Sequence, residues 1–108
     1  MQVDIVTLFP AYFVEPLATS IVGRAITGGH LTVRVHDLRD YTMDRHRTVD
    51  DTPYGGGGGM VMKPEPVFAS IESADPPRPL LLMSPRGRRF DQAMAHELAA
   101  TDGFSLLC

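Results

Sequence analysis

The chain begins with a short, mostly apolar run rich in β-branched residues, Val3-Asp4-Ile5-Val6-Thr7-Leu8. Such a run is typical of a strand that is buried on both faces of a parallel sheet. Two later runs, Leu80 to Met83 and Phe104 to Cys108, have the same apolar character. The stretch from Leu31 to Val35 alternates instead and predicts a less buried strand. We therefore expect four strands.

Three helical stretches separate these strands. The first begins at Pro10, has apolar residues at four-residue spacing and stops at Gly28-Gly29, with a break or kink expected at Pro16. Its apolar positions are Phe13, Leu17, Ile21 and Ala25. The second runs from Pro64 to Ser73, with Val67, Phe68 and Ile71 expected to face inward. The third is capped by Asp91, with Ala95 and Leu98 on its apolar face. Alternating strands and helices predict an α/β, Rossmann-like fold with a mostly parallel sheet.

Composition points to one small globular domain. The chain has 108 residues, of which 44% are apolar and 21% charged. No apolar run is long enough to span a membrane, and no basic segment typical of a secretory signal opens the chain. The only cysteine is Cys108, so no disulfide can form within the chain. These features lead us to expect a cytoplasmic protein.

The net charge of −3 argues against indiscriminate binding to nucleic acid. A local basic surface remains compatible with it, because a polyanion is recognised by a patch rather than by the total charge. Two clusters qualify, Arg45 with Arg47 and Arg86 with Arg88 and Arg89. Either cluster could instead belong to an ordinary salt-bridged surface.

Residues 37 to 59 are predicted to be a long loop, and its most informative part, from Asp44 to Gly59, ends in five consecutive glycines. Glycine backbone can approach a flat base or a phosphate closely, although a glycine run is also typical of a flexible linker. The glycine run does not match the motifs of nucleoside triphosphate or dinucleotide sites, because Met60 and Val61 follow the last glycine. A metal site at Asp44, His46, Asp50 and Asp51 lacks supporting spacing. Asp50 could accept hydrogen bonds from a guanine edge, or it could simply cap a turn.

A second candidate segment follows the third strand, from Ser84 to Arg89. Ligands of open α/β sheets bind in the crevice beyond the carboxyl ends of the strands, although an ordinary strand-to-helix turn would look the same. From residue type alone, Met60, Met62 and Met83 are expected in the core rather than at a ligand. His36 and His96 are expected to be structural or solvent-facing.

Several motifs in order resemble the bacterial tRNA (guanine-N1)-methyltransferases, the TrmD family of the SPOUT class. They are Leu8-Phe9-Pro10, Gly23-Arg24-Ala25, Asp44 to Asp51, Pro53 to Gly57, Leu82 to Gly87 and Leu106 to Cys108. The charged loop that runs into the glycines is the most specific of them. The resemblance covers residues 1–108 almost without gaps.

The resemblance implies transfer of a methyl group from S-adenosyl-L-methionine to N1 of the guanine on the 3′ side of the tRNA anticodon. It also implies a homodimer and a trefoil knot that holds the methyl donor. The implied donor-binding residues are Leu82, Met83, Ser84, Pro85 and Gly87. The implied tRNA- and guanine-binding residues are Arg45, His46, Asp50, Tyr54, Gly55, Gly56, Gly57, Gly59 and Met60. No metal is implied.

Two departures from the family pattern are visible. Gly58 stands where the family usually has proline, so this loop is expected to be more mobile. The chain also reaches Cys108, in its fourth strand, before the knot, the catalytic Asp with its Arg partner, and the carboxyl-terminal tRNA-binding domain. We therefore expect residues 1–108 to be the amino-terminal part of a methyltransferase domain, truncated before the trefoil knot and inactive alone. A non-enzymatic RNA- or nucleotide-binding α/β module remains the alternative.

Overall fold

A computed structural model describes all residues, Met1–Cys108. Its strands are β1 (Gln2–Thr7), β2 (Thr32–Asp37), β3 (Asp50–Asp51), β4 (Val61–Met62), β5 (Leu80–Leu82) and β6 (Gly103–Leu107). Its α-helices are α1 (Val14–Ala18), α2 (Ser20–Thr27), α3 (Pro64–Ala74) and α4 (Gln92–Ala99). Short 3₁₀ helices cover Pro10–Phe13 and Leu38–Tyr41. No helix is long and apolar enough to cross a membrane.

Four strands form one parallel sheet in the order β2-β1-β6-β5. Val3 of β1 lies opposite Val33 on one side and Phe104 on the other, which places β1 in the interior of the sheet. The predicted α/β fold with a parallel sheet is confirmed. β1 is buried along Val3–Thr7, whereas β2 is a half-exposed edge, as the two sequence patterns predicted.

The first helical stretch breaks at Thr19, not at the predicted Pro16. Pro16 lies in the first turn of α1, where a missing N–H costs no hydrogen bond. Thr19 takes an extended conformation, with φ −101° and ψ 137°, and Ser20 has a φ of 56°. The two short helices pack closely at Gly23. A Cβ there would lie only 2.4 Å from the Ala18 carbonyl oxygen, so the close contact requires glycine.

The prediction that Phe68 faces inward is wrong, since 63% of its surface is exposed. Pro66 and Ser70 are the buried residues of α3, and Val67 packs against the core. The Ser70 hydroxyl is satisfied locally, donating to the Val67 carbonyl at 2.7 Å. α3 therefore presents a narrow inner face of mostly small residues to the rest of the domain.

The hydrophobic core is small and lies beside the carboxyl ends of the central strands. Val6 of β1, Leu107 of β6, Leu38 and Val49 are all at least 91% buried and form one cluster. Leu8, Val67 and Leu80 pack against this cluster. The core thus joins the central strands to the segment that follows β2.

Asp4 is a charged residue in the middle of the buried strand β1, and its side chain is fully buried. Its carboxylate accepts hydrogen bonds from Arg34 Nε at 3.0 Å and Gln2 Nε2 at 3.0 Å, and lies 2.7 Å from His36 Nε2. Burial alone would raise the pKa of Asp4, but these partners, Arg34 foremost, lower it below its ordinary value. The interaction with Asp4 in turn raises the pKa of Arg34. His36 is structural, as expected.

Candidate functional site

Both candidate segments leave the sheet at the same end. Because the four strands are parallel, Thr7, Asp37, Leu82 and Leu107 all lie at its carboxyl edge. The long loop follows β2 and the arginine-containing turn follows β5, and these are the two outer strands. At a strand spacing of about 4.8 Å, the two outer strands lie about 14 Å apart. The edge between them is where ligands of open α/β sheets bind.

A groove of about 700 Å³ lies beside β5, β6 and α4. This volume falls within the range of about 300–1,000 Å³ that is usual for small-molecule sites. All five residues predicted to bind the methyl donor line it: Leu82, Met83, Ser84, Pro85 and Gly87. The remaining wall is mostly apolar and includes Phe104, Leu106, Met94 and Leu98. No acidic side chain lines the groove.

The turn after β5 is held by hydrogen bonds at both of its ends. The Arg86 amide donates to Ser84 Oγ at 3.2 Å, and the Met83 amide donates to the Leu107 carbonyl at 2.9 Å. Arg88 Nη2 lies 3.3 Å from Glu97 of α4. Asp91 caps α4 by accepting from the Met94 amide at 2.9 Å, as its position predicted. The groove wall is therefore fixed to both β6 and α4.

The expectation that the methionines lie in the core is wrong. Met60, Met62 and Met83 are 56%, 37% and 55% exposed. Leu82, on the edge strand β5, is 67% exposed. Of these, Leu82 and Met83 line the groove, and large exposed apolar side chains of this kind are typical of a surface that receives a ligand or another segment of protein.

The long loop is anchored at its base by Val49, a contact that the sequence reading missed. Val49 is 5% exposed and belongs to the core cluster, and its carbonyl accepts from the Lys63 amide at 2.8 Å. Immediately after it, β3 pairs antiparallel with β4. The signal was present, since Val49 is the only branched aliphatic residue between Asp44 and Gly59. The glycines thus form the tip of a hairpin.

The first part of the loop is held by polar contacts. Asp44 accepts from the Thr48 hydroxyl and, at 2.9 Å, from the Thr48 amide, which lowers the pKa of Asp44. Arg47 forms an ion pair with Asp40 and donates from Nε to the Arg39 carbonyl at 3.1 Å. Arg39 itself donates to the Leu8 carbonyl at 2.8 Å. Arg47, expected to belong to a basic patch, is therefore used within the chain.

The residues predicted to bind tRNA and guanine lie on this hairpin and on the segment just before it, and all are exposed: Arg45, His46, Asp50, Tyr54, Gly55, Gly56, Gly57, Gly59 and Met60. Gly55, Gly56, Gly57 and Gly59 all have positive φ, between 78° and 121°. Nothing lies within 4 Å of a Cβ built at any of them. The glycine backbone is thus open to close approach. None of the loop's hydrogen bonds reaches the groove, and no three His, Cys, Asp or Glu side chains form a metal-binding group.

Comparison with known sequences assigns the family. The family described as tRNA (Guanine-1)-methyltransferase TrmD matches residues 1–108, the whole chain. The chain belongs to the TrmD family. The resemblance of the loop and turn motifs is thereby confirmed.

Relatives within the TrmD family are similar over the same region. A tRNA (guanine-N(1)-)-methyltransferase of Geobacter metallireducens is 52% identical over 111 residues, covering 100% of this chain and 45% of the relative. The corresponding enzyme of Gloeobacter violaceus is 53% identical over 102 residues, covering 93% of this chain and 45% of the relative. The crystal structure of tRNA (m1G37) methyltransferase from Aquifex aeolicus matches with a TM-score of 0.86 at 31% identity, covering 100% of this chain and 50% of that one. The chain spans about half the length of these TrmD relatives.

Proposed function

We propose that residues 1–108 form the amino-terminal part of a tRNA (guanine-N1)-methyltransferase. The reaction would transfer the methyl group of S-adenosyl-L-methionine to N1 of the guanine on the 3′ side of the anticodon. The observation that carries this proposal is the placement of two segments in a TrmD-family chain. The turn that would hold the donor and the glycine loop that would hold the guanine leave the same edge of one parallel sheet.

The groove fits the proposed donor in size and chemistry. Its apolar wall suits an adenine ring and an aliphatic chain, and Arg89 on its lining supplies a positive charge for a carboxylate. The donor, when bound, supplies a methyl group activated by a positively charged sulfur. Leu82, Met83, Ser84, Pro85 and Gly87 would hold it, with the fixed turn setting its orientation.

The glycine loop would hold the guanine that accepts the methyl group. Enzymes that modify a base commonly take it out of the stack and read its edge by hydrogen bonds. Asp50 starts the short ladder at the base of the glycine hairpin, and its carboxylate could accept from the N–H groups of guanine. Tyr54 is fully exposed at the start of the glycine run, where its ring could stack on a nucleobase.

The transfer requires the removal of a proton from guanine N1. As the new N1–methyl bond forms and the sulfur–methyl bond breaks, a general base must accept that proton, and the donor leaves as a neutral thioether. We propose that this base lies beyond residue 108, as the family resemblance implies. The chain's own part would then be to bind and orient the donor and the guanine.

The proposal also includes the assembly and location implied by the resemblance. The complete enzyme would be a homodimer in the cytoplasm, with tRNA as its substrate. Sedimentation of the complete enzyme measures its stoichiometry directly.

A chimeric enzyme tests the proposed function. Residues 1–108 would be joined to the part of the Geobacter metallireducens relative that follows the matched region, and labelled S-adenosyl-L-methionine would be supplied. Two tRNA transcripts would be compared, one with guanine and one with adenine on the 3′ side of the anticodon. We expect label in the guanine transcript only and none with residues 1–108 alone. A chimera that folds but labels neither transcript, or both equally, would contradict the proposal.

A further inference from the structure

The nine arginines of the chain divide into two groups by their contacts. Four have side-chain partners within the chain: Arg34 with Asp4, Arg39 with the Leu8 carbonyl, Arg47 with Asp40 and Arg88 with Glu97. The other five make no side-chain hydrogen bond or ion pair: Arg24, Arg45, Arg78, Arg86 and Arg89. A guanidinium is always charged, so these five positive charges are free to interact with a ligand.

The free arginines differ in their place in the fold. Arg24 is on α2, and Arg78 precedes β5 at the amino edge of the sheet. Arg45, Arg86 and Arg89 belong to the loop and the turn at the carboxyl edge. Arg89 lines the donor groove, whereas Arg86 does not. Arg45 and Arg86 therefore remain, on the two segments that flank the proposed reaction site.

The contacts of the paired arginines give them a different role. Arg47 ties the loop that carries Arg45 to Asp40 and to the Arg39 carbonyl, and Arg39 is bound to the end of β1. Arg88 ties the turn that carries Arg86 to α4. In each segment one arginine, Arg47 or Arg88, therefore fixes the backbone through its side-chain contacts. The neighbouring Arg45 or Arg86 is left exposed on that backbone.

The chemistry of the exposed pair fits a phosphate backbone. Residues 84–90 contain three arginines and no acidic residue, in a chain whose net charge is −3. Guanidinium groups bind phosphate oxygens in a bidentate manner, and phosphate contacts fix the position of a nucleic acid without reading its sequence. A substrate strand that crosses the site would meet one such group on each side.

We propose that Arg45 and Arg86 contact phosphates of the tRNA backbone on opposite sides of the reaction site, while Arg47 and Arg88 position the loop and the turn that carry them. This inference rests on the proposed function, because it takes tRNA as the substrate.

The salt dependence of tRNA binding tests this division. Binding of fluorescent tRNA would be measured by anisotropy over a range of salt concentrations for the chimera described above and for the same chimera carrying Arg45→Gln, Arg86→Gln or both substitutions. Each lost phosphate contact lowers the slope of log K against log salt by about 0.7–0.9. We expect that loss in each single variant and about twice that loss in the double variant. Arg78→Gln is the matched control, a free arginine at the opposite edge, and should leave the slope unchanged.

Two outcomes would overturn the inference. One is a wild-type slope in Arg45→Gln and Arg86→Gln, and the other is an equal loss in Arg78→Gln. The proposed function fails separately, when the chimera described above does not methylate guanine. A chimera that methylates while both arginine variants keep the wild-type slope would refute the phosphate contacts alone.

Discussion

Replacing Val49 by alanine tests whether the long loop after β2 is anchored in the core. Val49 is 5% exposed and packs with Val6, Leu38 and Leu107, so the change removes two buried methyl groups. Each contributes about 0.8 kcal/mol of transfer free energy. The unfilled cavity adds about 24 cal/mol per Å³. We therefore expect the free energy of unfolding to fall by about 2–3 kcal/mol, a large share of the stability of so small a domain.

Urea unfolding followed by circular dichroism measures this loss. Val61→Ala is the matched control, because Val61 belongs to the same hairpin ladder but is 43% exposed, so its truncation should cost about 0.5 kcal/mol or less. Hydrogen exchange adds a local readout, since the Lys63 amide donates to the Val49 carbonyl and should exchange faster in Val49→Ala. Equal losses in the two variants, or unchanged exchange at Lys63, would refute the anchoring role.

Three further predictions concern the buried carboxylate of Asp4, the loop carboxylate of Asp50 and the groove beside β5. Asp4→Asn should cost about 1.5–3 kcal/mol in urea unfolding, because it removes the buried charge that accepts hydrogen bonds from Arg34, whose own side chain is partly exposed. Because the folded pKa of Asp4 is lowered, its stabilisation should be present above its ordinary value of 3.8 and be lost as pH falls through and below that value. A wild-type melt that shows no such acid loss relative to Asp4→Asn would contradict this. In the chimera, Asp50→Asn should lower kcat/KM for tRNA about ten- to a hundred-fold, since a hydrogen bond to a charged group contributes about 1.5–3 kcal/mol. If Asp50→Asn kept the wild-type rate, Asp50 would have no role in binding guanine. Residues 1–108 alone should bind S-adenosyl-L-methionine weakly, because Leu82 and Met83 are 67% and 55% exposed along the groove. Calorimetric binding in the low micromolar range would contradict that expectation.

The strands and the fold class could be predicted because their signal is local. A continuous apolar run such as Val3 to Thr7 and an alternating one such as Thr32 to Asp37 differ in sequence as they differ in burial. The order β2-β1-β6-β5 could not be predicted in this way, since it depends on which strands meet in space. The partners of Asp4 were missed for the same reason, as Arg34 and His36 lie about thirty residues away along the chain.

Two predictions for the helices were wrong, and the loop anchor was missed, for different physical reasons. Pro16 was expected to break or kink the first helical stretch, but it occupies the first turn of α1, and Thr19 makes the break instead. Phe68 was placed by its apolarity, whereas the inner face of α3 holds Pro66 and Ser70. Val49 was overlooked because one apolar residue in a polar loop has no period, although it reaches the core.

The five residues predicted to bind the methyl donor all line one groove, so the sequence brought them together correctly, while their role in binding stays a prediction. The roles of Arg86, Arg88 and Arg89 could not be told apart from the sequence, because the three side chains are chemically alike. Only the contact of Arg88 with Glu97 and the position of Arg89 on the groove distinguish them. In the loop, likewise, only its contacts, among them the ion pair with Asp40, distinguish Arg47 from Arg45.

The nucleoside that carries the transferred methyl group tests the proposed reaction most directly. The chimera of residues 1–108 with the remainder of the Geobacter metallireducens relative would be incubated with S-adenosyl-L-methionine and the guanine transcript. The transcript would then be digested to nucleosides and analysed by chromatography and mass spectrometry. Transfer to guanine N1 predicts 1-methylguanosine as the single new nucleoside, and its loss in the adenine transcript. A guanine methylated at another atom, or a different methylated nucleoside, would contradict the placement of guanine N1 against the donor at this sheet edge.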